Sequence, residues 1–302
     1  MTVTRNEAGD PLDARHLGPA VLARYVREHG LTANRRLSQN FLADGEVLDA
    51  IVAEARITPG RRILEIGPGP GILTGALLAA GADVTAVEVD RRMVAHLRDR
   101  FGGAGGGAAD EALADGHLRL VEGDALDEDL AALVTAPWDL VANLPYHITS
   151  PTLHHVLGAE PRPERFVLML QREVAERIAA PPGGLSYLSV FVQYHARVRV
   201  ARIVPAEAFE PAPEVASAIL VGETRPRRLD PAAEEDLWRL VQAGFRERRK
   251  MLHNVLPRQL PAVERATLVA ALEQVGIVPE RRPQTLSVED WLALAAALGP
   301  LP

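Results

Sequence analysis

Cysteine is absent from this 302-residue sequence, which excludes disulfides and thiolate metal sites and fits a reducing compartment. No apolar run approaches the ~20 residues that a membrane-spanning helix needs. The Met1–Asp13 stretch is polar and mixed in charge, without the apolar core of a signal peptide. A soluble, cytoplasmic protein is the expectation. Metal-binding spacing is missing too: His154 and His155 are adjacent, so they point to different sides of a helix, and no i, i+4 histidine pair exists. No metal is expected. Excess positive charge is also lacking, because the net charge is −7, whereas a nucleic-acid partner calls for a basic surface.

That charge is unevenly spread. Residues 151–302 hold 19 basic and 18 acidic side chains, while residues 1–150 hold 14 and 22. Arginines cluster at Arg162/Arg165/Arg172/Arg177, Arg197/Arg199/Arg202, Arg225/Arg227/Arg228 and Arg246/Arg248/Arg249/Lys250. Such clusters are either solvated faces or phosphate contacts. Hydrophobic residues make up 47%, which rules out wholesale disorder and supplies a sizeable core.

Along the chain, 1–16 reads as a loose tail and 17–29 as a short amphipathic helix ending at Gly30. Asp44 is placed to cap a helix carrying Val47, Leu48, Ile51 and Val52 on one face. Strands at 61–66, 83–90, 117–124, 138–145 and 165–171 then alternate with helices at 72–81 and 91–101. Gly102–Ala109 is a glycine/alanine loop. This rhythm predicts a Rossmann-like α/β fold, a mostly parallel sheet with helices on both faces. The alternating stretch 188–204 and the run 217–223 read as antiparallel edge strands. Helices at 231–243, 247–256, 262–275 and 287–298 form a small all-helical C-terminal domain. The expected division is an extension at 1–34, a catalytic domain at 35–228 and a helical domain at 229–302.

The chemistry starts at Glu65-Ile66-Gly67-Pro68-Gly69-Pro70-Gly71, between a strand and a helix. Glycines there allow a sharp turn and close approach to a ligand, and the helix offers free N–H groups. The spacing is G-x-G-x-G, whereas a dinucleotide site prefers G-x-G-x-x-G. Glu88 lies 21 residues beyond Gly67 at the next strand end, where an acid accepts from ribose hydroxyls. Asp124, in Gly123-Asp124-Ala125 after the third strand, could accept from an adenine amine. Asn143-Leu144-Pro145-Tyr146 ends the fourth strand. An adenine amine is a poor nucleophile because its lone pair is delocalised. The Asn143 amide oxygen and the Leu144 carbonyl can accept both amine hydrogens and favour a pyramidal nitrogen. Pro145 stiffens the turn, and Tyr146 can stack on an extruded base.

N-[IL]-P-Y after a fourth strand resembles the N6-adenine methyltransferases. The match extends from about Arg35 to Leu256 and resembles the KsgA/RsmA branch, the small-subunit (16S) rRNA adenine N6,N6-dimethyltransferases, related to the Erm macrolide-resistance enzymes. Leu37–Leu42 is similar to the family's G-Q-N-F-L segment, Met169–Ala175 to M-x-Q-K-E-V-A, Phe209–Ala218 to F-x-P-P-P-K-V-x-S-A, and Phe245–Leu252 to F-x-x-R-R-K-x-L. The last three favour this branch over Erm. Ser38, Ala212 and Glu214 depart from its pattern, and Glu214 reverses a charge near the expected RNA path.

The resemblance implies S-adenosylmethionine as methyl donor, held by Asn40, Leu42, Gly67, Gly69, Glu88, Asp124, Ala125 and Asn143. It implies that Asn143, Leu144, Pro145 and Tyr146 act on the target base, with Phe209 flanking it. It further implies two methyl transfers to each of two adjacent adenosines in a hairpin loop near the 3′ end of 16S rRNA, within an assembling small subunit. Arg246, Arg248, Arg249 and Lys250 are the expected rRNA contacts, and a monomer is the default state. Methylation of large-subunit rRNA giving antibiotic resistance, and a ribosome-assembly or transcription factor that binds the donor without turnover, are the alternatives.

Overall fold

A computed structural model describes residues 12–33, 39–102, 112–247 and 249–302. In chain order the elements are α1 (Pro19–Glu28), β1 (Phe41–Leu42), α2 (Gly45–Ala55), β2 (Arg62–Ile66), α3 (Ile72–Ala79), β3 (Asp83–Glu88), α4 (Arg91–Phe101), β4 (Ala112–Leu113) and β5 (Leu118–Glu122). Next come α5 (Leu130–Leu133), β6 (Trp138–Asn143), α6 (Thr149–Gly158), β7 (Arg165–Gln171), α7 (Arg172–Ile178), α8 (Tyr187–His195), β8 (Ala196–Val204), β9 (Phe209–Glu210) and β10 (Ser217–Thr224). The last four are α9 (Pro231–Arg246), α10 (Leu252–Gln259), α11 (Arg265–Gln274) and α12 (Val288–Leu298).

The main sheet runs β4-β5-β3-β2-β6-β7-β10-β8. Strands β5, β3, β2, β6 and β7 are parallel, and β10 returns antiparallel along β7. Buried on both faces, the central strands are continuous apolar runs, as parallel strands must be. Ile63, Leu64, Val141 and Leu168 are wholly enclosed. Helix starts are fixed by side-chain caps: Asp44 accepts from Val47 N (3.0 Å), Asp90 from Arg92 N (3.0 Å) and Asp230 from Ala232 and Ala233 N. The Asp44 cap matches the sequence signal at α2.

The chain separates into two compact units, Met1–Ala175 with Arg199–Thr224, and Glu176–Val198 with Arg225–Pro302. Three sequence expectations change. First, residues 187–195 are helix α8 and only 196–204 is strand. Ser186 and Ser189 form a reciprocal capping box, and Val190 and Tyr194, one helical turn apart, bury against Leu237, Leu240 and Trp291 in the core of the second unit. Second, 176–198 therefore groups with the helical unit, inside the span expected to be catalytic. Third, the described part of the expected tail and extension, residues 12–33, contributes to the first unit's core, and the rest of that span lies outside the described residues. Leu12, Leu22, Tyr25 and Leu31 are buried with Phe41 and Leu48, and Tyr25 Oη bonds His96 Nε2 at 3.1 Å. Of the glycine/alanine loop only Gly102 is among the described residues.

Candidate active site

Strands β2, β3, β5 and β6 end along one edge of the sheet, so the turns that follow them converge, as in open α/β sheets generally. Backbone bonds hold the turns together: Gly67 N donates to Val87 O (2.9 Å) and Gly123 N to Glu88 O (3.0 Å). Between them lies a cleft of about 830 Å³, measured out to its open mouth. Its walls include Asn40, Gly67, Gly69, Glu88, Asp124, Ala125, Asn143, Leu144, Pro145 and Tyr146. Ten of the residues singled out in the sequence thus share one site.

The glycine turn is built for close packing. Gly69 sits at φ +56°, and a methyl group there would stand 3.1 Å from the Phe41 ring; Gly71, at φ +83°, would clash with Leu97 and Phe101 at under 3 Å. Both positions therefore require glycine. Behind the turn, Glu65 is 1% exposed and accepts from Thr74 Oγ1 at 2.7 Å, which ties β2 to the first turn of α3. Burial pushes its carboxyl pKa up to about 8, with the neighbouring Glu88 adding to the shift.

Glu88 is 3% exposed. One carboxylate oxygen accepts from Gly69 N (3.0 Å) and the other from Asp90 N (2.8 Å). Burial raises its pKa, and those two N–H donors partly offset the rise. A carboxylate has about four acceptor sites, so one lone pair on each oxygen stays available. A cleft with one enclosed carboxylate and apolar walls from Ile66 and Val87 suits an adenosyl group whose ribose presents two hydroxyls.

At the β6 end, Asn143 Nδ2 donates to Asn40 O at 3.1 Å. The amide is thereby oriented by the segment before β1, and its oxygen is left as the acceptor. Leu144 N donates to Met169 O (3.2 Å), which continues the β6–β7 ladder and buries the leucine side chain while its carbonyl belongs to the turn. Pro145 packs against the glycine turn, since a methyl group on Gly67 would lie 3.5 Å from its Cδ. Tyr146 is half-buried, and its hydroxyl meets Ser217 Oγ at 2.7 Å, so the ring is held from the start of β10. Burial raises the Tyr146 pKa, so the phenol stays neutral.

Two expected residues lie elsewhere. In the short antiparallel pair β1–β9, Leu42 is opposite Phe209 and Phe41 is opposite Glu210. Successive strand side chains alternate in direction. Phe41 consequently lines the cleft, while Leu42 and Phe209 are buried in the core at 3% and 1% exposure. The cleft also includes Gln39, Val89, Gly123, His147 and Ile148, which the sequence did not place among the site residues. Each lies within two residues of a motif residue, which is the signal that could have found them. In the second unit, Arg246, Arg249 and Lys250 are exposed, and Arg248 lies outside the described residues. Among the described residues, no group of three or more His, Asp or Glu is placed to hold a metal ion, and no helix is long and apolar enough to cross a membrane.

A donor cleft at the glycine turn beside an amide acceptor at the fourth strand end is what methyl transfer to an amine requires, and it places the protein among the S-adenosylmethionine-dependent methyltransferases. The family model for ribosomal RNA adenine dimethylase matches residues 30–298. The chain belongs to that family. It is 42% identical over 285 residues to a ribosomal RNA small subunit methyltransferase A from Sphingopyxis alaskensis, covering 91% of this chain and 97% of that one. It is 43% identical over 293 residues to one from Anaeromyxobacter sp. (strain K), covering 93% and 97%. Among solved structures, a dimethyladenosine transferase from Plasmodium falciparum superposes with TM-score 0.68 at 26% identity, covering 84% of this chain and 95% of that one. The 23S rRNA methyltransferase ErmE superposes with TM-score 0.65 at 28% identity, covering 86% and 99%.

Proposed function

We propose that this protein transfers methyl groups to N6 of two adjacent adenosines in a hairpin loop near the 3′ end of small-subunit rRNA, forming N6,N6-dimethyladenosine. It acts as a cytoplasmic monomer on an assembling small subunit. The observation that carries the reaction is the Asn143 Nδ2 bond to Asn40 O, because it fixes which end of the amide meets the substrate. The small-subunit assignment draws support from relatives at 42% and 43% identity that carry that name, against 28% for the large-subunit enzyme.

S-adenosylmethionine, when bound, supplies an electrophilic methyl on a sulfonium. Glu88 takes the ribose hydroxyls on its two free lone pairs, and Asp124, at the cleft mouth, accepts from the adenine amine of the donor. Asn143 Oδ1 and the Leu144 carbonyl accept the two hydrogens of the target amine. Both acceptors are fixed before the reaction and cost no reorganisation during it. They draw the nitrogen toward a pyramidal geometry and aim its lone pair along the line of transfer. Tyr146, its hydroxyl anchored on Ser217, offers its ring to the face of the extruded base. After attack the amine proton becomes acidic and leaves to solvent, so no strong general base is needed.

A bacterial strain lacking dimethylation of its small-subunit RNA tests this directly. Expression of the chain should restore two N6,N6-dimethyladenosines in the 3′ fragment, read by mass spectrometry. Dimethylation in the large-subunit RNA instead would overturn the substrate assignment. Growth restored without any methylation would favour a binding factor.

A further inference from the structure

Several of the arginines that cluster in the sequence of the second half are neutralised where they stand. Arg199 pairs with Glu54 (2.5 Å), Arg202 with Glu46 (3.5 Å), Arg227 with Glu234 (3.0 Å) and Arg228 with Glu289 (2.6 Å). Arg197 and Arg225 differ. Arg197 is exposed on β8, Arg225 is half-buried just past β10, and neither has an acidic partner among the described residues. Arg225 N donates to His195 O at 2.7 Å, which sets it beside residue 195 and within two residues of Arg197. Its Nε is closed off from solvent with no hydrogen-bond partner. Burial lowers the Arg225 pKa, and repulsion from Arg197 and Arg228 lowers it further, with Glu289 the one opposing charge. A desolvated guanidinium crowded by two others is a costly arrangement unless an anion completes it.

We propose that Arg197 and Arg225, beside the Glu289-paired Arg228, form a phosphate-binding site for the rRNA backbone on the helical unit, additional to the Arg246–Lys250 segment. Such a site presupposes the rRNA substrate proposed above. The site precedes the start of α9, whereas Arg246 closes that helix. Sixteen helical residues rise roughly 24 Å at 1.5 Å each. The unit therefore carries a basic group near either end of one rigid rod. Guanidinium groups match phosphate through paired N–H donors. The two carboxylates beside it among the described residues, Glu234 and Glu289, are engaged by Arg227 and Arg228 and so are not free to read a base edge. The grip is on shape and charge, independent of sequence.

The test measures binding of the full chain to undimethylated small ribosomal subunits across a salt series. Removing two phosphate contacts in an Arg197→Gln/Arg225→Gln variant should lower the log–log salt slope by about 1.4, at ~0.7 per contact on single strands. Binding of S-adenosylmethionine and the circular dichroism spectrum should stay as in the parent. Glu289→Gln, at an exposed position, frees Arg228 and should steepen the slope by about 0.7. Folded variants that both keep the parent slope would overturn the proposal alone. A parent protein that does not bind the subunit at all would remove the rRNA reading and this site with it.

Discussion

Replacing Glu88 with glutamine separates the donor site from the fold that carries it. Each Glu88 oxygen accepts one backbone N–H, from Gly69 and from Asp90. A glutamine has one oxygen, so its NH2 faces a backbone N–H in either orientation. One buried donor is then orphaned, at about 1–3 kcal/mol. Against that, the neutral amide escapes the burial cost that raises the Glu88 pKa. The two effects oppose one another, and the melting temperature should move by only a few degrees, at about 2–4 °C per kcal/mol for a domain of this size. Binding is different. Losing a charged acceptor for one ribose hydroxyl removes about 1.5–3 kcal/mol, or about 10- to 150-fold in Kd at 1.4 kcal/mol per decade. Calorimetric titration with S-adenosylmethionine and with S-adenosylhomocysteine should show the same loss, because the ribose is common to both. At saturating donor kcat should stay near the parent value, since the lost contact serves ground and transition states alike. A folded Glu88→Gln protein whose Kd stays within threefold of the parent would refute the assignment of Glu88 to the ribose.

Asn143→Ala should cost about 2–4 kcal/mol of transition-state stabilisation, a loss of 30- to 1000-fold in single-turnover methyl transfer, with little change in RNA binding. Tyr146→Phe, which gives up only the Ser217 bond, should lose less than tenfold in the same assay, and Tyr146→Ala, which gives up the ring, distinctly more. Glu65 makes a prediction in pH. Its native pKa of about 8 lies above the ordinary 4.5, so the native state holds the proton more tightly than the unfolded chain. The Glu65 contribution is best below about pH 4.5 and is progressively lost as pH rises to about 8. Urea melts across that window should show a smaller fall in stability for Glu65→Gln than for the parent, and equal slopes would contradict a buried neutral acid.

The sheet was legible because its central strands need no tertiary information to be recognised. RRILEI and WDLVAN are largely apolar runs of strand length, and the glycine turn and N-L-P-Y mark their ends. Glu88 and Asn143 could be placed for the same reason, since strand ends in such sheets converge. What failed was local patterning whose meaning depends on packing. The 187–195 run has apolar side chains at both helical and strand spacings, and only the Ser186–Ser189 cap and the second unit's core decide for helix. Leu42 and Phe41 lie in a two-residue strand, too short for alternation to show which one faces the ligand. Phe209 is set against Leu42 by a pairing that spans most of the first unit. The neutral acid at Glu65 likewise follows from burial, which outweighs the opposing hydrogen bond from Thr74 nine residues away, and composition does not reveal it.

The central claim is methyl transfer to adenine N6 in small-subunit rRNA. The most direct measurement supplies labelled S-adenosylmethionine with undimethylated small and large ribosomal subunits, then digests the RNA to nucleosides. Label in N6,N6-dimethyladenosine from the small subunit alone is the predicted result. Label confined to the large subunit, or absent from both, would contradict it.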